Sequence, residues 1–219
     1  MTRFDSFKAI CVSTLLVSGF AGTAAAQQWE VGVLGGGSFY LNNSVTGPRG
    51  SGDLGFKPGL TVGGWLGHNT SGHFGGEIRY LFQMNDLRVS SSGSEYTFGG
   101  QSHIVTYDFL YHTSSREDRL RPFVVVGAGF KGYRGTGTER AFQPLSNVGI
   151  LTRTQEWKPV IDFGAGVKYN FGSRLTLRAE FRDYVTPFPK AVLLPGAGAK
   201  VSGWTHDFTP LVGLSYTFN

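Results

Sequence analysis

The sequence predicts an all-β chain, an eight-stranded antiparallel up-and-down transmembrane β-barrel. Three observations carry this expectation. Apolar and other residues alternate with period two along most of the chain, as in strands with one apolar face. Only 16% of residues are charged, while 14% are aromatic and 33 are glycine; ordinary soluble domains carry about a quarter charged residues. Beyond the first thirty positions no run reaches the roughly 18 apolar residues that identify a membrane helix. The same composition excludes other classes. With 18 Phe, 9 Tyr and 4 Trp the chain has too much apolar surface for disorder. One cysteine is too few for a disulfide scaffold or a cysteine-based zinc site.

The first element is an export signal. Met1–Lys8 carries Arg3 and Lys8, Ala9–Ala21 is mostly apolar but too short to span as a helix, and Ala24-Ala25-Ala26 supplies a small-residue cleavage pattern. Cleavage after Ala26 starts the mature chain at Gln27, so residues 1–26 form the signal peptide and residues 27–219 the barrel domain. Removal of Arg3, Lys8 and Asp5 lowers the formal net charge from +5 to +4, and Cys11 leaves with the segment.

Eight strands follow, over residues 29–40, 59–67, 74–86, 101–113, 121–133, 158–171, 175–185 and 207–218. The alternation is clearest in four of them. Phe74, Ile78, Tyr80, Phe82 and Met84 oppose Gly75, Glu77, Arg79, Leu81 and Gln83; Ile161, Phe163, Ala165, Val167 and Tyr169 oppose Asp162, Gly164, Gly166, Lys168 and Asn170. Leu175, Leu177, Ala179 and Phe181 oppose Thr176, Arg178, Glu180 and Arg182, and Val212, Leu214, Tyr216 and Phe218 oppose Leu211, Gly213, Ser215 and Thr217. Each strand is near or above the roughly 9–11 residues that cross a bilayer at a tilt. Residues 68–73, 114–120 and 172–174 make short connections; residues 41–58, 87–100, 134–157 and 186–206 make long ones, all at one end. Membrane barrels show this asymmetry.

Alternation alone does not say which face is inside, and a soluble lipocalin-like barrel would turn the apolar face inward. The polar face places Glu30, Glu77, Asp108, Asp162 and Glu180 against Arg79, Lys131, Lys168, Arg178 and Arg182. Five against five suits an interior where charges must be paired. Within it, Glu77, Asp162 and Glu180 are expected to meet Arg79, Lys168, Arg178 and Arg182, with Trp65 also inward. Glycines on that face, including Gly32, Gly127 and Gly164, leave room for long side chains. Aromatics at strand ends, among them Trp29, Phe39, Phe130, Phe171 and Phe181, suit membrane interfaces.

The last strand contains Gly213, Tyr216 and Phe218 in a Gly-x-x-aromatic-x-aromatic pattern, followed by Asn219. It resembles the terminal signal read by the assembly machinery of bacterial outer-membrane barrels, which ends on the aromatic residue itself. Arg121-Pro122-Phe123-Val124-Val125-Val126-Gly127-Ala128-Gly129, Gly164-Ala165-Gly166-Val167-Lys168-Tyr169 and Leu177-Arg178-Ala179-Glu180-Phe181-Arg182-Asp183-Tyr184 extend the likeness. Over about residues 27–219 the chain resembles the small bacterial outer-membrane β-barrel proteins, the OmpA/OmpX-like group. The resemblance implies residence in the outer membrane, contact with its lipid and lipopolysaccharide, and handling by periplasmic chaperones and the assembly machinery. It brings no catalytic residue, no cofactor and no metal.

Candidate chemistry is sparse. His112-Thr113-Ser114 resembles the His-x-Ser pair of lipid A deacylases, also eight-stranded barrels, but it falls at a short-connection end, away from the outer leaflet. His206-Asp207 with Asp183 resembles a barrel protease site on too few strands. The expected reading is a non-enzymatic structural, anchoring or surface-interaction barrel, closed to solutes, with no nucleic-acid partner and with an unidentified partner for its loops. The long loops carry Arg49, Lys57, Arg88, Arg134, Arg140, Arg153, Lys190 and Lys200 against Asp53, Glu95, Glu139 and Glu156, a basic rim suited to polyanions. The apolar stretch 191–199 either folds over the barrel mouth or forms a partner-binding tip.

Overall fold

The computed structural model describes residues 28–218 except 70, 71, 173 and 202. The export segment 1–26, its cleavage residues Ala24, Ala26 and Gln27, and Asn219 lie outside the described residues. Within them the chain forms β1 (Gln28–Tyr40), β2 (Asn43–Gly47), β3 (Gly50–Phe56), β4 (Gly59–Asn69), β5 (Phe74–Met84), β6 (Leu87–Ser91), β7 (Ser94–Phe98) and β8 (Gly100–His112). There follow β9 (Leu120–Gly135), β10 (Gly149–Leu151), β11 (Gln155–Phe171), β12 (Leu175–Pro187), β13 (Leu193–Pro195), β14 (Lys200–Val201) and β15 (Trp204–Phe218).

The eight long strands close into an antiparallel barrel in the order β1-β15-β12-β11-β9-β8-β5-β4. Closure satisfies both edges of every strand, the condition for crossing lipid without exposed backbone donors. The register fixes the bore. From Trp157, cross-strand partners run through Gly132, His103, Phe82, Val62, Gly35, Val212 and Ala179 to Val167. One circuit thus slips ten residues along β11. Eight strands with that slip are tilted and enclose a space that side chains can fill.

Period two turns the barrel inside out relative to a soluble one. Val33, Phe74 and Phe130 on the outer wall are 60–68% exposed, whereas Glu77, Arg178 and Arg182 inside are at most 2% exposed. The lipocalin-like arrangement requires the reverse and is not what the chain adopts. Strand boundaries differ from the sequence expectation mainly at the long-loop end, where β9 and β11 extend to Gly135 and Gln155. β5 stops at Met84 rather than 86. Asn85 turns its amide to Ser38 Oγ at 2.6 Å, and the Asp86 carbonyl accepts from Lys57 N at 2.8 Å.

The long connections are not loops throughout. β14, β2, β3, β6 and β7 form a five-stranded sheet, and β10 pairs with β13. Together they make a cap with its own core: Val45, Leu54, Phe56, Leu87, Val89, Val148, Leu151, Val192 and Leu193 are buried in one cluster. These strands are two to seven residues long. Alternation over so few positions does not stand out from a Gly- and Ser-rich background.

Candidate functional site

The barrel interior is layered, and β5 steps through it from the cap downward as Gln83, Leu81, Arg79 and Glu77. Uppermost, Lys131 Nζ lies 2.5 Å from Asp207 Oδ2 and 2.9 Å from the Tyr40 hydroxyl; Gln83 donates to the same Asp207 oxygen at 2.9 Å. The Lys131 ammonium also sits 4.7 and 5.2 Å from the ring centres of Tyr40 and Tyr133. Phe56 stacks on Tyr133 at 5.1 Å and joins this layer to the cap core. Below it an apolar layer of Leu34, Leu81, Ile104, Val160, Tyr184 and Leu211, with Trp65, fills the bore.

The next layer is a buried cluster of three guanidinium groups and four carboxylates. Glu77 touches Arg79 at 2.6 Å, Arg178 at 2.7 Å and Arg182 at 2.8 Å. Glu180 meets Arg178 at 2.7 Å and also pairs with Arg79. Arg182 Nη1 is shared by Asp108 at 2.6 Å and Asp162 at 2.7 Å. Arg178 is stacked between the Phe123 and Trp65 rings, with its carbon 4.6 and 5.0 Å from their centres. Arginine suits this role because its planar fork meets several carboxylates at once and lies flat on aromatic faces.

Two glycines make the packing possible. A Cβ on Gly127 would lie 2.2 Å from Asp108 Oδ1 and 2.4 Å from Asp162 Oδ1, and one on Gly32 would enter the Trp65 ring. Nearest the short turns, Lys168 Nζ lies 2.7 Å from Glu30 Oε2, and Ser215 donates to the other oxygen of Glu30 at 2.7 Å.

All ten charged residues singled out in the sequence lie inside and are buried, Glu30, Lys131 and Lys168 included. They do not form one network. Lys168, expected to join the arginine cluster, is the cross-strand partner of Arg178 but extends its ammonium to Glu30 on β1 instead. The count inside becomes six against six among the described residues, because Arg121 is a sixth interior base and Asp207 a sixth interior acid. Asp207 shares the odd-numbered parity of Leu211 and Gly213 on β15 and lies within the strand expected over 207–218, so the alternation already put it on the inner face although it is not one of the ten charges singled out. The same parity on β9 places Arg121 inside with Phe123 and Lys131.

The nucleophile pair is separated, and of the protease candidate only His206 and Asp183 meet. Ser114 Oγ donates to the Leu120 carbonyl at 3.1 Å, while the His112 ring faces the His73 carbonyl at 3.3 Å. His206 Nδ1 lies 2.8 Å from Asp183 Oδ2 near Phe208, but Asp207 points to the opposite face and into the bore. Neighbouring residues in a strand cannot share a face. Among the described residues no cluster of metal-ligating side chains occurs. At the end of β15, Gly213 is enclosed, while Tyr216 and Phe218 are 40 and 41% exposed on the outer wall opposite Val31 and Trp29.

The cap resolves the fate of the apolar stretch 191–199: Val192 and Leu193 are fully buried in the cap core, and Leu194 remains 45% exposed. Several cap charges are paired, with Glu95 held by Lys57 at 3.2 Å and Arg88 at 2.8 Å. The Lys57 hydrogen bond first, then the Arg88 charge, holds the Glu95 carboxyl below the usual carboxylate range.

A family model described as outer membrane protein beta-barrel domain matches residues 12–218. No curated protein matches the chain significantly. Among solved structures, Neisserial surface protein A is similar at 10% identity and a TM-score of 0.52, over 88% of this chain and 99% of that one. The N-terminal β-barrel domain of Pseudomonas aeruginosa OprF aligns at 14% identity and a TM-score of 0.49, over 87% of this chain and 97% of that one. At such identities the structural likeness speaks to fold alone. The match to the family model over nearly the whole chain, on a closed eight-stranded barrel with an apolar outer wall, shows that this chain belongs to the outer membrane protein beta-barrel domain family.

Proposed function

We propose that the protein resides in the bacterial outer membrane as a sealed barrel that anchors a folded external cap, and that the cap is its interaction surface. The short turns face the periplasm and the long connections the exterior, as in other barrels of this kind. The observation that carries the reading is the filled bore. The arginine–carboxylate cluster, the apolar layer above it and the Lys131–Asp207 pair occupy successive levels, and the cap core packs over the long-loop mouth. Breaking a buried ion pair costs about 3–5 kcal/mol, so a continuous water column for solutes is not expected at equilibrium. Lipopolysaccharide is the expected neighbour of the cap, through Arg140, Arg153 and Lys190.

Planar-bilayer recording of the pure protein tests this. The expected result is no stable conductance. Large, steady unit currents, of the kind wide porins give, would sink the reading; rare brief openings fit a transiently rearranging ion-pair cluster.

A further inference from the structure

The short-turn mouth of the barrel holds a cavity of about 440 Å³ that the sealed bore does not use. Its floor is the Lys168–Glu30 pair, already neutral. Its walls include Arg116, Arg119, Arg121 and Glu117. Arg121 is the unusual member. Its side chain is 4% exposed, and its Nη2 donates to the Gly72 carbonyl at 3.0 Å. Its Nε is buried and has no hydrogen-bond partner among the described residues. No carboxylate among the described residues forms an ion pair with it, whereas every buried cation deeper in the barrel has one. A buried charge without a counter-charge is strongly unfavourable. A guanidinium at the wall of an open polar cavity meets that requirement when an oxyanion enters, because its fork matches carboxylate or phosphate oxygens. Arg119, exposed at the rim, adds long-range attraction.

We propose that this mouth is a binding site for a small oxyanion, phosphate or carboxylate, with Arg121 as its principal binding side chain. The site rests on Arg121 and the mouth and does not depend on the bore being sealed or on what the cap contacts. Lys168 and Glu30 form the base against which the anion sits, and Asn170 on the wall is held by the Asp118 carbonyl and the Thr176 hydroxyl, each at 2.9 Å.

The test is titration of the refolded protein in detergent with inorganic phosphate and, separately, succinate, at constant ionic strength made up with chloride. Proton–nitrogen NMR of arginine side chains reads the Arg121 Nε–H directly. A saturable shift of that signal is expected with one or both anions, and the arm that saturates at lower concentration identifies the preferred oxyanion. Arg121→Gln should weaken binding about tenfold or more, as expected for loss of a charge-assisted hydrogen bond. Arg174→Gln, on the neighbouring turn and bonded to the Tyr216 hydroxyl at 2.9 Å, should bind like wild type. If Arg121→Gln does not fold, Arg119→Glu serves, and it should weaken binding by reversing a rim charge. A linear shift, no shift with either anion, or undiminished binding in Arg121→Gln or Arg119→Glu would overturn the proposal.

Discussion

Glu77 and Asp162 illustrate how the same charge on the same face carries different weight. Glu77 contacts three arginines, each within 2.8 Å, whereas Asp162 contacts only Arg182 Nη1, which Asp108 also holds. The cluster has four carboxylates for three guanidinium groups, so one negative charge is in excess. Glu77→Gln should therefore lower stability by about 3 kcal/mol, the scale for breaking a buried pair. Asp162→Asn should change it far less, since Arg182 keeps Asp108 and Glu77. The unfolding midpoint of each variant in detergent, followed by circular dichroism, measures the difference; equal losses would contradict the contact assignment. Gly127→Ala adds a separate expectation. Its Cβ would press on two carboxylates that are tied to Arg182 and cannot swing away, so the variant should fold in lower yield than wild type, measured as the refolded fraction.

At the level of elements, the cap and the barrel form separate sheets that meet where Phe56 stacks on Tyr133. Leu193 lies in the cap core on β13, paired with Leu151 of β10 rather than with a barrel strand. An aspartate there would be buried without a partner, which cap packing cannot accommodate. Leu193→Asp should open residues 136–154 to limited proteolysis while the barrel remains closed and resists cleavage. The β6–β7 hairpin offers a pH test. Glu95 has a lowered pKa in the folded state because Lys57 and Arg88 hold its carboxylate. A depressed carboxyl pKa stabilises above the unfolded value, and that contribution disappears as pH falls through the folded value. Hydrogen exchange in β6 and β7, corrected for intrinsic rates, should therefore accelerate below about pH 4.5, the ordinary glutamate value. Glu95→Gln should abolish that acceleration and leave exchange at neutral pH only modestly faster than in wild type, because an exposed ion pair contributes little and Leu87, Val89 and Phe98 remain in the cap core.

The barrel is a closed hydrogen-bonded cylinder whose mid-section is filled by side chains, and detergent offers its backbone nothing that the barrel lacks. Unboiled protein should therefore migrate on a denaturing gel differently from boiled protein, in Leu193→Asp as in wild type. Identical mobility before and after boiling would count against closure. The β1–β15 pairing, from Trp29 opposite Phe218 to Tyr40 opposite Asp207, joins the first and last strands. All-or-none behaviour is expected for that reason: the final seam forms only when every strand is already in register.

The sequence by itself determined the barrel. Period-two alternation names both faces of each strand, and the low charge with paired interior signs selects the inverted arrangement, because these are local properties of one strand. Eight strand positions and the burial of Glu77, Arg79, Arg178 and Arg182 were legible for that reason. Only the tertiary structure decided which charges meet. Partners across the bore, such as Arg178 and Glu77, are 101 positions apart, and the ten-residue slip around the barrel sets their level. Lys168, level with Arg178 in the register, meets Glu30 rather than a carboxylate of the arginine cluster. Arg121 stays at the short-turn mouth, with no carboxylate in ion-pair contact among the described residues. The cap was beyond reach for a different physical reason. Its strands are too short to carry a period, and their apolar residues cohere only when four connections, distant in sequence, fold over one mouth.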